Sequence, residues 1–224
     1  MKIGPYTITS PLPLTKTEGL RLTAALPATI GKSEATLGGR GALQFLDGIS
    51  GKSLAIKPYL RGGLIGKVNR RYYLERGKSR AAKEYEILSK LSGTEVKTPT
   101  PLGIIESGRF LRSCWLLMEN IPHDHTLATA SLDKNERNAI FDRLAPQIKA
   151  LLDLGIHHVD LHPGNIIVTR QGHPVLIDFD KAREGVSNRK ALSELYVKRW
   201  TRAVIKHKLP ENLSECFIQM MKDL

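Results

Sequence analysis

The stretch from Ile156 to Arg183, IHHVDLHPGNIIVTRQGHPVLIDFDKAR, constrains this chain more than any other. His158 and Asp160 are followed five positions later by Asn165, and a short apolar run then leads to Ile177-Asp178-Phe179-Asp180. Ile166 to Thr169 and Val175 to Ile177 read as two strands joined across Arg170-Gln171-Gly172-His173, a hairpin by its turn residues. A hairpin returns its second strand to where the first began. Asp160, Asn165 and Asp178 are therefore expected at one place, although eighteen positions separate the first from the last.

That set of groups suits phosphoryl transfer from ATP, which needs a carboxylate beside the acceptor hydroxyl and oxygen ligands holding Mg²⁺ against the phosphates. The spacing matches the HxDxxxxN and DFG elements of protein-kinase-like enzymes. Asp160 is the expected base, and Asn165 and Asp178 the expected metal ligands. The plain alternative is a surface loop whose polar residues only satisfy turns.

Upstream residues test the idea. Leu54-Ala55-Ile56-Lys57 resembles the VAIK strand of the same enzymes; alternation puts Leu54 and Ile56 toward the core, and Ala55 and Lys57 toward the nucleotide. Lys57 would touch the α- and β-phosphates. Residues 79–92 carry Ala81, Tyr85, Leu88 and Leu91 at helical spacing, and Glu84 on that helix is the expected partner of Lys57, with Glu86 as competitor. Gly39 and Gly41, in Gly38-Gly39-Arg40-Gly41, let backbone N–H groups approach phosphate or make an ordinary hairpin turn. Met118 and Glu119, after the apolar run from Cys114, are the expected hinge whose backbone meets adenine.

The remaining order of elements is coarse but consistent. Residues 33–59 read as a three-strand meander, with a turn opening at Asp47-Gly48. Pro99 and Pro101 end the unit built on the first long helix. Asp133 and Glu136 have the spacing of a capping box and open a helix running to Gly155, with a kink or break expected at Pro146. The last forty or so residues read as helical and basic. Strands followed by helices predict an α+β fold of two lobes: an N-terminal extension over 1–32, a small β-rich lobe over 33–118 and a reduced helical lobe over 119–224.

Charge bears on partners. The chain has 224 residues and a net charge of +12, and thirteen basic against five acidic residues lie between 51 and 110. Arg61, Lys67, Arg70, Arg71, Arg76, Lys78, Arg80 and Lys83 form the densest run, which is either a solvated face or a surface for phosphate-bearing partners. Only Tyr72 and Tyr73 could stack on bases there, so nucleic acid is not expected. The N-terminus lacks the apolar core of a secretory signal, and no run is long enough to span a bilayer. Cys114 and Cys216 have neither disulfide-scaffold nor zinc spacing, which points to a reducing compartment.

Two departures from protein kinases point to the acceptor. Asp180 stands where those enzymes have the glycine of DFG, and only 44 residues follow it, with no anchor of the APE type. His162-Pro163-Gly164 also fits small-molecule kinases better, so a sugar or lipid head group is the expected acceptor rather than a polypeptide. Tyr59-Leu60-Arg61-Gly62-Gly63, Arg80-Ala81-Ala82-Lys83-Glu84-Tyr85, the His158–Asn165 loop, Leu176 to Lys181 and Gly39-Arg40-Gly41 together resemble the lipopolysaccharide kinase family, and its 3-deoxy-D-manno-octulosonic acid (Kdo) kinases above all, over residues 37–200. The resemblance implies a protein-kinase-like fold and ATP with Mg²⁺ as cofactors. It also implies a Kdo hydroxyl of a lipid A precursor as acceptor, and work at the anionic cytoplasmic face of the inner membrane. A kinase of another acceptor class and a non-catalytic membrane-binding module are the alternatives.

Overall fold

The computed structural model describes residues 1–26, 43–59, 77–108 and 113–224. The first part of the expected meander, residues 33–42, with the glycines Gly39 and Gly41, and the basic residues from Arg61 to Arg76 lie outside them. The chain forms two compact units, one of Met1–Ser89 with Thr100–Asn120 and one of Lys90–Pro99 with Ile121–Leu224. The first is mainly sheet and the second mainly helix, the α+β composition that the order of elements predicts.

In the first unit six strands form one antiparallel sheet: β1 (Lys2–Ile3), β2 (Tyr6–Thr9), β3 (Gln44–Ile49), β4 (Lys52–Pro58), β5 (Pro101–Ser107) and β6 (Ser113–Glu119), in the order β1-β2-β5-β6-β4-β3. Two of these strands, β1 and β2, come from the segment 1–32 expected as an N-terminal extension. Ile8 of β2 pairs with Ile105 of β5, and helix α1 (Lys16–Ala25), opened by a Thr15/Glu18 capping box, adds Leu22 to the core. Leu22, Leu26, Leu54, Ile56, Leu102, Trp115 and Leu117 pack together, with the Tyr6 ring edge-on to Trp115 at 5.9 Å.

Two local expectations are corrected. Asp47-Gly48 does not open the turn. It forms a bulge inside β3, and the chain reverses at Ser50 and Gly51, both at positive φ. Pro101 does not end a unit either; it begins β5, where the first strand residue needs no amide donor. Gly103 then lets β5 approach β2 closely, since a Cβ there would stand 2.6 Å from Thr9 O at a φ of +149°.

Helix α2 (Arg80–Leu91) matches the periodicity read over 79–92. In the second unit α3 (Lys134–Asp153), α4 (Arg189–Lys206) and α5 (Asn212–Asp223) surround Trp200. Its ring stacks on Phe217 at 4.0 Å, meets Phe141 edge-on at 6.1 Å and donates from Nε1 to Leu213 O at 2.9 Å. Asp133 and Glu136 cap α3 reciprocally, as their spacing predicts. The helix ends in a Schellman motif, with Ile156 N bonded to Leu151 O, Gly155 N to Leu152 O, and Gly155 at a φ of +61°.

Pro146 does not break α3. Leu144, Gln147, Ile148 and Leu151 are buried on either side of it, and that burial outweighs the one lost hydrogen bond. Strands β7 (His123–Thr126), β8 (Ile166–Thr169) and β9 (Pro174–Leu176) form a second antiparallel sheet. Gln147 ties it to α3 by donating to Pro174 O at 3.0 Å. Among the described residues no helix is long and apolar enough to cross a membrane.

Candidate active site

The first cluster lies in the sheet-rich unit. Lys57, near the end of β4, reaches both carboxylate oxygens of Glu84 on α2, at 2.9 and 2.8 Å. Glu84 is only 2% exposed, so its charge is tolerable because donors surround it. Glu86 pairs instead with Lys78, near the surface.

Sequence reasoning missed a third member. The Tyr59 hydroxyl donates to Glu84 Oε2, and the Tyr59 ring lies under both Lys57 Nζ (5.4 Å) and the Arg80 guanidinium (5.2 Å). Tyr59 is two residues past Lys57, so strand alternation alone puts both on one side, but nothing in the pattern says that its hydroxyl meets a carboxylate. Tyr59→Phe removes that donor from a buried charge, and we expect a loss of about 1–3 kcal/mol in urea unfolding. An unchanged midpoint would mean that the hydroxyl does not support Glu84.

Ala55 is buried between Phe45 and Met118 across the ladder. Glu119 N donates to Thr100 O at 2.9 Å and Asn120 N to Ser53 O at 3.0 Å. The Glu119 amide is therefore already used within the unit and cannot also meet a base, which leaves carbonyl groups to the expected hinge contact.

The second cluster lies in the helix-rich unit. His158 is buried, and its Nε2 contacts Ile177 O at 3.0 Å; a carbonyl only accepts, so Nε2 carries the proton. Its ring lies 4.3 Å from that of Phe179, and its backbone N–H donates to the Tyr196 hydroxyl, which donates onward to Ile156 O at 2.5 Å. Burial holds the imidazole below its ordinary pKa, so it is a neutral strut between the loop and the strand that leads to Asp178.

Asn165 closes the loop. Its Nδ2 donates to Asp160 O at 2.9 Å, and Ile177 N donates to Asn165 O at 3.0 Å. Because the partner is a carbonyl, the amide nitrogen is committed to the loop, and Oδ1 is the atom of the side chain that could accept or ligate. The hairpin thus brings Asn165 beside the residue preceding Asp178. Asp178 itself sits at a φ of +66°, a left-handed conformation that costs a non-glycine residue energy. After Phe179 the chain runs back along the loop, with His157 and Arg183 exchanging backbone hydrogen bonds at 2.7 and 3.0 Å.

Asp160 has partners that the sequence did not suggest. Its Oδ1 accepts from Arg199 Nε at 2.9 Å and from Arg199 Nη2, and Lys181 Nζ stands 4.0 Å from Oδ2. Partial burial pushes the carboxyl up, but the Arg199 hydrogen bonds and charge outweigh it and hold Asp160 below the usual carboxylate range. Arg199 adjoins the buried face of α4 marked by Tyr196 and Trp200. It is one basic residue among several on that helix, with no spacing signal to single it out.

His162 caps the short 3₁₀ turn Pro163–Asn165 by accepting from Gly164 N at Nδ1, 3.0 Å. Burial, then the Arg199 charge, push its pKa down to about 4, so it is neutral beside the Asp160 pair.

The donor set fits a small hard cation. Asn165 Oδ1 and the Asp178 carboxylate are oxygen ligands of the type Mg²⁺ takes. Among the described residues no three His, Cys, Asp or Glu side chains gather as a cage, so such an ion would complete its shell with water and phosphate oxygens.

Comparison with known proteins agrees with the motif reading. The model of the lipopolysaccharide kinase (Kdo/WaaP) family matches residues 31–218. A 3-deoxy-D-manno-octulosonic acid kinase of Stenotrophomonas maltophilia (strain R551-3) is 34% identical over 174 residues, 75% of this chain and 68% of that protein. Its counterpart from Vibrio parahaemolyticus is 30% identical over 150 residues, 65% of this chain and 62% of that protein. One from Xanthomonas oryzae pv. oryzae (strain PXO99A) is 32% identical over 148 residues, 64% of this chain and 58% of that protein. The matched segments thus span roughly three-fifths to two-thirds of these relatives' length, and the residues matched by the family include the loop from His158 to Asn165 and the Asp178–Asp180 turn. With the resemblance read from its motifs and the family match agreeing, the chain belongs to the lipopolysaccharide kinase (Kdo/WaaP) family.

Proposed function

We propose that this protein transfers the γ-phosphate of ATP to a hydroxyl of a Kdo residue on a lipid A precursor. The observation that carries the reading is the Asp160–Asn165–Asp178 constellation, held by the His158 strut and the β8–β9 hairpin, in a chain of this family. Asp160 Oδ2 receives the acceptor hydroxyl. As the hydroxyl oxygen bonds to the γ-phosphorus, the bond from that phosphorus to the β,γ-bridging oxygen breaks, ADP departs, and the hydroxyl proton passes to Asp160. A carboxylate held at low pKa is a weak base, so Asp160 acts mainly by orienting the hydroxyl, and the proton moves late. That suits a loose transition state in which the nucleophile needs little activation.

Asn165 Oδ1 and Asp178 hold Mg²⁺, which when bound neutralises phosphate charge. Lys57, kept in place by Glu84 and Tyr59, takes the α- and β-phosphates. Ala55 and the carbonyls of the Met118–Glu119 segment meet adenine, and Gly39 and Gly41 offer N–H groups to phosphate. Orientation and fixed charge then supply most of the acceleration. The basic excess between 51 and 110 supports work at an anionic membrane surface, with the protein peripheral on the cytoplasmic face.

The test is mass spectrometry of Kdo-bearing lipid A precursor after incubation with the protein and Mg²⁺-ATP. The expected product carries one added phosphate on the sugar. Transfer to other sugars or to peptides but not to this precursor would replace the acceptor and keep the reaction. Absence of both transfer and nucleotide binding would overturn the reading in favour of a non-catalytic module.

A further inference from the structure

The cations around Asp160 exceed what holding one carboxylate requires. Arg199 commits Nε and Nη2 to a single oxygen, Oδ1, and its Nη1 makes no hydrogen bond among the described residues. Lys181 stands at the other oxygen at 4.0 Å, beyond hydrogen-bond range, with its side chain 61% exposed. Two positive groups therefore flank one negative group, and the neighbouring His162 adds no charge near neutral pH. A hydroxyl bound to Oδ2 would arrive beside Lys181 Nζ, on a carboxylate whose other oxygen is held by Arg199.

An ulosonic acid carries its own carboxylate on the sugar that presents the hydroxyl, so receiving the hydroxyl brings an anion to the same neighbourhood. With Nε and Nη2 on Asp160, Arg199 offers an arriving carboxylate one charged donor, Nη1, and Lys181 adds a mobile point charge beside it; charge-assisted bonds of this kind favour an anion over a neutral sugar group. We propose that Arg199 Nη1 and Lys181 Nζ form a subsite for the carboxylate of the acceptor sugar, so that the pair selects an acidic sugar over a neutral one. This inference rests on the acceptor reading above and deepens it: the cations that hold Asp160 also recognise the sugar it serves. The lipid's phosphates lie on other sugars of the molecule and are not the anion meant.

The experiment compares two acceptors, the Kdo-bearing precursor and the same molecule with the Kdo carboxylate converted to its primary amide, which keeps the shape and removes the charge. Wild-type kcat/KM is expected to fall about 100-fold on the amide, and Lys181→Gln to fall about 10-fold on the acid yet match wild type on the amide, as charge-assisted contacts of this kind predict. Lys181 is exposed, so its variant folds. Arg199→Lys keeps a cation for Asp160 Oδ1 but loses the fork, and it too should discriminate less between the acceptors.

Equal wild-type rates on acid and amide would overturn the subsite and leave the kinase reading intact. So would a Lys181→Gln loss that is the same on both acceptors. A wild type that binds Mg²⁺-ATP but phosphorylates neither acceptor would overturn the acceptor reading, and the subsite with it.

Discussion

Asp160→Asn lowers the turnover number for phosphoryl transfer by about 10²–10⁴-fold, the range typical of a positioned acid–base group. The substitution is nearly isosteric, so it opens no cavity, and Asn165 bonds to the Asp160 backbone carbonyl, which the change leaves in place. The proposed metal ligands and the Lys57–Glu84 pair belong to other side chains, and nucleotide affinity should stay near wild type. A loss in kcat with unchanged nucleotide binding marks an interaction made in the transition state. Retention of more than about a tenth of the wild-type turnover would remove Asp160 from the reaction, since even the low end of that range is a larger loss.

The same variant carries a pH signature. The folded-state pKa of Asp160 is depressed, so the Arg199 pair contributes stability that is present above the ordinary carboxylate pKa. That contribution disappears as pH falls through the lower, folded-state value. Asp160→Asn lacks the titrating group. Its stability should therefore lie below wild type at neutral pH, with the gap narrowing in acid. Denaturant midpoints across the acid range test this, and a gap that is constant with pH would mean the pair contributes nothing by charge.

Trp200→Ala has the largest expected effect on stability, a loss of about 3–5 kcal/mol, as for large aromatic residues truncated in a core. The ring is fully buried and touches Phe141 of α3 and Phe217 of α5 while lying on α4, so it is a shared contact of three helices. Its Nε1 bond to Leu213 O ties the first turn of α5 to α4, and truncation removes that bond as well as opening a void. The thermal midpoint, followed by helical circular dichroism, should fall by roughly 10 °C or more. Trp200→Phe keeps most of the ring volume without the donor and should fall between the two. A Trp200→Ala midpoint within a few degrees of wild type would show that the helices close over the void.

Trp200 is also the reason that Arg199 stands where it does. The buried positions Leu192, Tyr196, Trp200 and Ala203 orient α4, and the residue before Trp200 is thereby carried to the loop holding Asp160. The partner of Asp160 is thus placed by a core contact that does not touch it.

The parts whose causes are local can be read from the chain alone. The caps of α3, the periodicity of α2, the turn between β8 and β9 and the spacing of Asp160, Asn165 and Asp178 all depend on neighbours within a few residues or across one hairpin. Lys57 and Glu84 were legible too, because the strand and helix periods each assign them a side and their types leave few partners.

The rest depends on contacts between distant parts of the chain. Strands β1, β2 and β7 are two to four residues long, too short for a period to show; β2 and β7 exist because β5 and β8 supply the hydrogen bonds, and β1 because β2 does. Pro101 reads locally as punctuation and begins a strand because the sheet offers it a place, while Pro146 reads as a break and is carried through by buried neighbours. The Arg199–Asp160 pair joins residues 39 positions apart, and no local pattern encodes it. Among the basic residues of α4, only the packing that buries Trp200 decides which one meets the carboxylate. An ion pair at that separation is fixed by where the core puts two backbones, and charge in a sequence carries no such address.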